Sequence, residues 1–489
     1  MLLTASEIRA VVIGALLAMA LAAVDQTIIA TALPAMARDL GDVSLLSWIV
    51  SAYLLTSTCA SPVAGKLSDL YGRRRSLVAA LGIFMLGSAL CALATGMIPL
   101  ILARAVQGLG GGSLIALGQT VIGDVVSPRQ RAHYSGYFSL VFATTSIVGP
   151  SLGGLLTQYW GWPWIFWINL PVGAAALVIV DRALRRLPVH HHKRPIDYAG
   201  IVSLSGATVA LLLVLSLGGK KLAWTSPEIV VLAAASALLC AVFAHAQLRA
   251  AEPVLPPRFL ADGVLKPLLA SSFIVYGTYL AIAVAAPVYF QVALGTSASE
   301  AGLLTIPVVL STSLTSNFAA RHAKRSGRYK LPTLIGLPVA VVAMAVLAFV
   351  ADRVSPAVAA AFLTLAGCGF GPTFPSASVA SLNAVAPRDI GAVSGALTFV
   401  RALGAAIAVA ASSALVLGLA ADALPGGLEG GLQDLVSQAL APAAREAVAR
   451  AFGVMFGVSA VGFLIGLILF ARVEDRLLRD TPAAASSAE

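Results

Sequence analysis

The chain has 489 residues, 59% of them hydrophobic and 11% charged, with a formal net charge of +10 at pH 7. A mean hydropathy of +0.91 excludes a water-soluble globule, since too few polar residues are present to cover one. The positive balance is spread over short loops without interleaved aromatic residues, which excludes a nucleic-acid face and reads as a membrane topology signal.

A hydrocarbon core of about 30 Å needs roughly 20 apolar residues per helix. Fourteen stretches qualify: 9–33, 45–65, 76–95, 97–126, 134–157, 163–182, 198–217, 228–247, 267–292, 300–319, 332–351, 355–383, 392–418 and 451–472. The period-2 alternation of a transmembrane barrel is absent, so the spans are read as helices. The first stretch carries an acid and no small-residue cleavage site, which disfavours a removable signal peptide. With the N-terminus inside, only Arg38, Lys220, Lys221, Arg353, Arg445 and Arg450 fall on outer segments, and the other loop lysines and arginines are cytoplasmic. That asymmetry predicts an even number of spans with both termini in the cytoplasm.

The first span contains "LAAVDQTIIATALP", in which Asp25 interrupts the apolar run. An acid at a helix centre costs about 2.5–3.5 kcal/mol on insertion scales, so Asp25 is expected to face the protein interior with a proton or a partner. It lies roughly 12 Å below the outer end of its span, and Arg104 lies roughly 10 Å below the outer end of span four, at 1.5 Å per residue. The two share a level. Arginine keeps its charge while a carboxylate can gain and lose a proton, so the pair suits a proton carrier; a permanent ion pair that fixes packing is the competing reading.

In span four, Gly108 and Gly112 form a G-x-x-x-G that permits close helix approach. In span five, "IVGPSLGG" places Pro150 among Gly149, Gly153 and Gly154, which predicts a bend and close packing. Arg401, in span thirteen, is the other charge at depth and has no acid at its level; a role in a cavity and a structural role weigh equally. Cys59, Cys91, Cys240 and Cys368 all fall inside spans without metal spacing and are expected to pack as small apolar residues. The histidines of "HHHK" at 190–193 sit in a basic loop and read as solvated.

The chain repeats itself. "GKLSDLYGRRR" (65–75) aligns with "ARHAKRSGRYK" (320–330) at an offset of 255, pairing Gly72 with Gly327. "GLGGGS" (108–113) aligns with "GCGFGP" (367–372), and "SPRQRAHYSG" (127–136) with "APRDIGAVSG" (386–395), both at an offset of 259. Two halves of six spans with the same orientation result, and spans seven and eight lie between them. The expected division is 1–182 for the first bundle, 183–266 for the two-helix insertion, 267–472 for the second bundle and 473–489 for a cytoplasmic tail. Composition admits a channel as well as a carrier; the parallel two-half plan favours a carrier that works by alternating access.

With these pieces in place, the sequence resembles the major facilitator superfamily, and within it the fourteen-span drug:proton antiporters, over nearly the whole chain. Gly65, Asp69, Gly72, Arg73 and Arg74 match the superfamily's loop motif G-x-x-x-D-x-x-G-R-[RK]. The resemblance implies a cytoplasmic latch of Asp69 and Arg73 with Asp124 and with a helix start near Gly391, whose dipole suits an anion. "ILARAVQGLGGG" resembles the span-four motif, which ties Arg104 to proton transfer and adds Gln107. "GPSLGG" resembles the antiporter motif of span five and implies export. "DQTIIATALP" resembles the first-span motif and makes Asp25 the proton site. "WGWPWIFWINLPVG" (160–173) is similar to a further family motif, with Pro163 where arginine is usual, and Lys324 replaces the acid of the second loop repeat.

The fold expected is therefore all-α: two six-helix bundles of major facilitator type plus two further membrane helices, fourteen spans in all. The leading function is proton-coupled export of lipophilic or cationic drugs, with Gln107 and Arg401 as cavity candidates and Trp48, Tyr53, Phe138, Phe142, Tyr276, Tyr279 and Phe399 as aromatic ones, each of which reads more readily as packing. Alternatives are a dedicated exporter of one metabolite, siderophore, amino acid or lipid, and a non-transporting assembly factor. An enzyme is disfavoured, because no H-E-x-x-H, G-x-S-x-G or Walker A sequence occurs. No cofactor or metal is expected. The partners expected are a small-molecule substrate, protons and the lipid of a cytoplasmic membrane. The outer segment 421–450 has leucines at helical spacing and is a candidate surface helix or periplasmic contact.

Overall fold

The computed structural model describes residues 5–42, 45–126, 128–185, 196–218, 222–421, Leu435 and 442–478. Each apolar stretch is helical, twelve of the fourteen as one helix and two divided between a pair. The first group is α1 (Ala5–Leu40), α2 (Leu46–Tyr71), α3 (Arg73–Ala92), α4 (Met97–Val125), α5 (Pro128–Tyr159), α6 (Trp164–Trp167) and α7 (Asn169–Leu184). A pair follows, α8 (Tyr198–Leu217) and α9 (Pro227–Arg249). The last group is α10 (Leu265–Val288), α11 (Ala298–Ser326), α12 (Lys330–Val350), α13 (Pro356–Phe370), α14 (Thr373–Ala384), α15 (Ile390–Ala420) and α16 (Pro442–Ala471). Among the described residues thirteen helical stretches are long and apolar enough to cross a membrane; α2, with serines and threonines through its middle, is not among them.

Two expected spans are interrupted for a chemical reason. The sixth is split into α6 and α7 just before Pro171, and the twelfth into α13 and α14 at Gly371–Pro372. Proline supplies no N–H to the helical ladder, and neighbouring helices must stabilise the break. The tenth element, α10, runs through Pro287 and ends in a π turn, Tyr289–Ala293.

α1–α7 pack around two buried clusters, one holding Met19, Tyr53, Phe84 and Leu117 and the other Ile49, Leu100 and Phe166. α10–α16 enclose a cluster rich in aromatic rings, including Tyr289, Phe290, Phe452 and Phe456. α8 and α9 pack on one another, and α8 lies against α2 and α15, across the seam between the two groups.

The internal repeat is visible in three dimensions. A Cβ on Gly108 or Gly112 of α4 would collide with the backbone of Tyr53 or Ser57 on α2, and one on Gly110 with Phe84 on α3. In the second group a Cβ on Gly367 or Gly371 would meet Val308 or Thr312 on α11, and one on Gly369 would meet Gly336 on α12. The same three small positions thus let one helix approach two neighbours in each half, as close packing in lipid requires. Gly72 and Gly327, the paired loop residues, both have positive φ, +91° and +72°. That conformation suits glycine at a turn between helices.

Several expectations find a different outcome. Cys59 and Cys91 are buried, but Cys240 is exposed on α9 and Cys368 half-buried. The expected tail begins by docking: Val473 and Leu478 are buried, and Lys330 donates to the Ala471 and Val473 carbonyls. The sequence 190–193 and most of 421–450 lie outside the described residues, apart from a buried Leu435 and the start of α16.

Candidate functional site

Asp25 and Arg104 meet in the core of the first group. Arg104 Nη1 lies 2.6 Å from Asp25 Oδ2, and the side chains are 1% and 0% exposed. Gln107, one helical turn after Arg104, donates from Nε2 to Asp25 Oδ1 at 2.7 Å and accepts from Arg104 Nη1 at 2.7 Å. Asn169 of α7 donates to the same Oδ1 at 3.0 Å. Ser88 of α3 accepts from both Gln107 (2.7 Å) and Asn169 (3.2 Å). Arg104 Nε donates to the Ile49 carbonyl at 3.2 Å, and its guanidinium lies 4.3 Å from the centre of the Tyr53 ring.

This arrangement satisfies almost every polar atom it contains. A carboxylate accepts all three donors; a proton on Asp25 would turn an acceptor into a donor and set the network in competition with itself. Asn169 and Ser88 were not picked out in the sequence. Asn169 lies within the quoted "WINLPVG" run, which was a usable signal; Ser88 carried none.

The loop motif closes one face of the molecule. Asp69, at the end of α2, accepts from the backbone N–H groups of Gly391 (2.9 Å) and Ala392 (2.8 Å) at the start of α15. Arg73 forms an ion pair with Asp69 and donates from Nε to Asp124 Oδ2 at 2.5 Å. A carboxylate on two free N–H groups of a helix start is the favourable polarity for the helix dipole. Gly65 and Gly391 stand back to back, and a Cβ on either would strike the other's carbonyl oxygen. The five residues Gly65, Asp69, Gly72, Arg73 and Asp124 therefore assemble at one junction between the groups. Arg74 turns away and pairs with Asp181 at 2.6 Å.

In α5, Gly149 and Gly153 abut Thr27 and Ile28 of α1, and Thr27 donates to the Thr145 carbonyl at 3.0 Å. Gly154 faces open space, so it takes no part in that approach. α5 continues as one helix through Pro150.

A cavity of about 460 Å³ lies between the groups, within the range of drug-sized sites. Its wall is built by α2, α4, α5, α10 and α15, with Leu212, Leu215 and Ser216 of α8 completing it. Gln26, the neighbour of Asp25, reaches it; so do Phe142 and Tyr276. Arg401 also lines it while 95% of its surface is covered, and Phe374 lies beneath its guanidinium at 4.4 Å. Gln107 belongs to the buried cluster instead of the cavity. Of the other aromatic candidates, Tyr53 supports Arg104, Phe138 packs in the core, Tyr279 stacks on Phe370 and Phe399 packs near α8.

The profile described as the Major Facilitator Superfamily matches residues 15–409. The chain belongs to that superfamily. It is 36% identical to the "Multidrug transporter protein MdtP" of Bacillus subtilis over 394 residues, covering 80% of this chain and 72% of the relative. It is 32% identical to "Multidrug resistance protein 3" of Bacillus subtilis over 399 residues, covering 82% and 78%. Among solved structures, the proton:xylose symporter XylE bound to 6-bromo-6-deoxy-D-glucose superposes with a TM-score of 0.64 at 14% identity, covering 99% of each chain. This superfamily member is a multi-pass membrane transporter and not an enzyme.

Proposed function

We propose that this protein is a proton-coupled antiporter that exports lipophilic compounds by alternating access across a bacterial cytoplasmic membrane. In this reading it has fourteen spans and both termini in the cytoplasm, divided as 1–182, 183–266, 267–472 and the tail from 473. The observation that carries it is the fully buried Asp25–Arg104–Gln107–Asn169 cluster, one residue away from Gln26 in the cavity wall.

The mechanism follows from the geometry. Ionised Asp25 holds Arg104, Gln107 and Asn169 on one centre and so ties α1, α4 and α7 together. Protonation removes the charge that holds Arg104, and α1 is freed to shift against α4 and, through Thr27 and Gly149, against α5. On the cytoplasmic face, Asp69, Arg73 and Asp124 clasp the start of α15 and close the cavity on that side. Substrate enters when the clasp opens. Exchange of substrate for a proton then requires that the two be bound in alternation, which is antiport. Drugs as the class of cargo are supported by the names of the two Bacillus relatives, a multidrug transporter and a multidrug resistance protein.

The test is transport in proteoliposomes with an imposed pH gradient, using a lipophilic fluorescent compound and a proton indicator. Wild type is expected to accumulate the compound while protons move the opposite way. Asp25→Asn is expected to bind the compound and accomplish neither movement. Undiminished gradient-driven transport by Asp25→Asn would remove Asp25 from the coupling role.

A further inference from the structure

We infer that the central cavity selects lipophilic compounds bearing an anionic group, and that Arg401 is the residue that recognises it. The inference rests on the proposed transport function for its purpose, but on the cavity alone for its chemistry. Sequence reading gave lipophilic or cationic drugs; the wall of the cavity argues against the cationic ones. Among the described residues lining it there is no Asp or Glu, and Arg401 is the one charged side chain. The polar groups nearby are neutral, chiefly Gln26, Gln119 and the hydroxyls of α2.

A positive charge inside a membrane protein is expensive unless it is paired or hydrated. Arg104 shows the usual solution, a carboxylate at 2.6 Å. Arg401 has none. Its Nη1 reaches Ser378 Oγ at 3.4 Å, and its Nη2 donates to the Phe374 carbonyl at 3.2 Å. Among the described residues these two bonds leave three of the five guanidinium N–H donors without a protein acceptor. The Phe374 ring lies 4.4 Å from the guanidinium carbon while Arg401 lines the cavity, and a guanidinium at a cavity wall suits the fork-like recognition of a carboxylate, sulfonate or phosphate oxygen pair.

The remainder of the cavity fits the other end of such a molecule. Leu54, Leu280, Val284 and the alanines of α15 make an apolar surface, with Tyr276 and Phe142 available for stacking. An amphipathic monoanion places its body there and its charge on Arg401. A cation placed in the same volume meets Arg401 with no acid in the wall to offset the repulsion.

The experiment is equilibrium binding to the full-length protein in neutral phosphatidylcholine nanodiscs, without any pH gradient. Three matched probes are used: one dansylated alkyl chain ending in a carboxylate, a carboxamide or a primary ammonium. The expected order is carboxylate over amide over ammonium, with at least about tenfold between the first and last. Arg401→Gln is expected to weaken the carboxylate probe about tenfold and leave the amide within about twofold, while Arg401→Lys retains part of the preference. Equal binding of the three by wild type, or a preference for the ammonium, would overturn the inference. So would an equal loss for all three in Arg401→Gln, which would mark Arg401 as a packing residue. Should that variant fail to purify, the wild-type order decides by itself. Because no gradient is involved, a wild-type protein with that order but no proton-coupled transport would refute the antiporter reading and leave this one standing.

Discussion

Among the described residues two arginines are buried at depth, one in each half, and their surroundings are opposite. Arg104 has a carboxylate, an amide, a backbone carbonyl and the Tyr53 ring around it. Arg401 has a ring at nearly the same distance, a hydroxyl and a carbonyl, but no counter-charge. The first is closed off from the cavity and the second forms its wall. One sequence element, a lone arginine in an apolar helix, has thus become a fixed partner for a buried carboxylate in one half and, among the described residues, a charge without a counter-charge in the other. The partners, and not the arginine, decide which.

The largest expected effect comes from breaking the closed site. Arg104→Gln strands the Asp25 carboxylate in a buried position, and loss of one member of a buried pair costs about 3–5 kcal/mol. Arg401→Gln strands no charge and should cost about 1–2 kcal/mol, comparable to losing its hydrogen bonds. Thermal or denaturant unfolding of the purified variants in detergent compares them. Equal losses would show that Arg401 is as much a structural centre as Arg104, and the contrast would fail.

The second test removes the stranded charge as well. Adding Asp25→Asn to Arg104→Gln should restore most of the stability lost in the single variant, since neighbouring changes that share a network are not additive. Transport should stay abolished. If the double variant is less stable than Arg104→Gln alone, the pair contributes stability beyond mutual compensation, and the reading of it as a proton switch loses its main support.

How far this contrast could be read beforehand is instructive. The depth of Asp25 and Arg104 was fixed by counting residues from helix ends, and the pairing follows, because charges in lipid must find each other. The Asp69–Gly391 junction was anticipated through the family's loop motif, and the two N–H groups at the start of α15 are where the dipole argument put them. Asn169 escaped because a polar residue near a helix start has many uses, and which atom it faces depends on how α7 rotates. The wall of the cavity escaped for the same reason: helix spacing says that Arg401 is deep and has no acid at its level, but not that its side chain shares a cavity wall with Phe142 and Tyr276. α8 is the plainest case. Nothing in its uniformly apolar sequence indicates that Leu212, Leu215 and Ser216 complete the cavity at the seam between α2 and α15.

Access separates the two arginines as well. Asp69→Asn keeps the shape of the junction but removes the charge that meets the start of α15 and Arg73, worth about 1–2 kcal/mol in a partly buried setting. The equilibrium should shift toward a state open on the face that bears Asp69. In a cysteine-free background, a Thr58→Cys probe in the cavity wall should then react with a membrane-impermeant thiol reagent several-fold faster from that face, a change that a bias of about 1 kcal/mol produces. A probe at Ser88, inside the Arg104 cluster, should not respond. An unchanged Thr58→Cys rate would mean that Asp69 does not hold the cavity closed.

The smallest effect concerns the neutral partners. Asn169→Ala deletes a 3.0 Å hydrogen bond to the Asp25 carboxylate and leaves Ser88 with one partner fewer. Such bonds to charged groups contribute about 1.5–3 kcal/mol, less here because Gln107 still donates to the same oxygen; about 1 kcal/mol is expected. Ser378→Ala removes a 3.4 Å contact to Arg401 from a hydroxyl that already donates to the Phe374 carbonyl at 3.0 Å. Its expected cost is below about 0.5 kcal/mol, because so long a contact orients the guanidinium only weakly. Denaturation midpoints of the two variants give the comparison directly. If Ser378→Ala costs as much as Asn169→Ala, the Ser378 contact anchors Arg401 firmly, and the contrast between a tightly held Arg104 and a weakly held Arg401 fails.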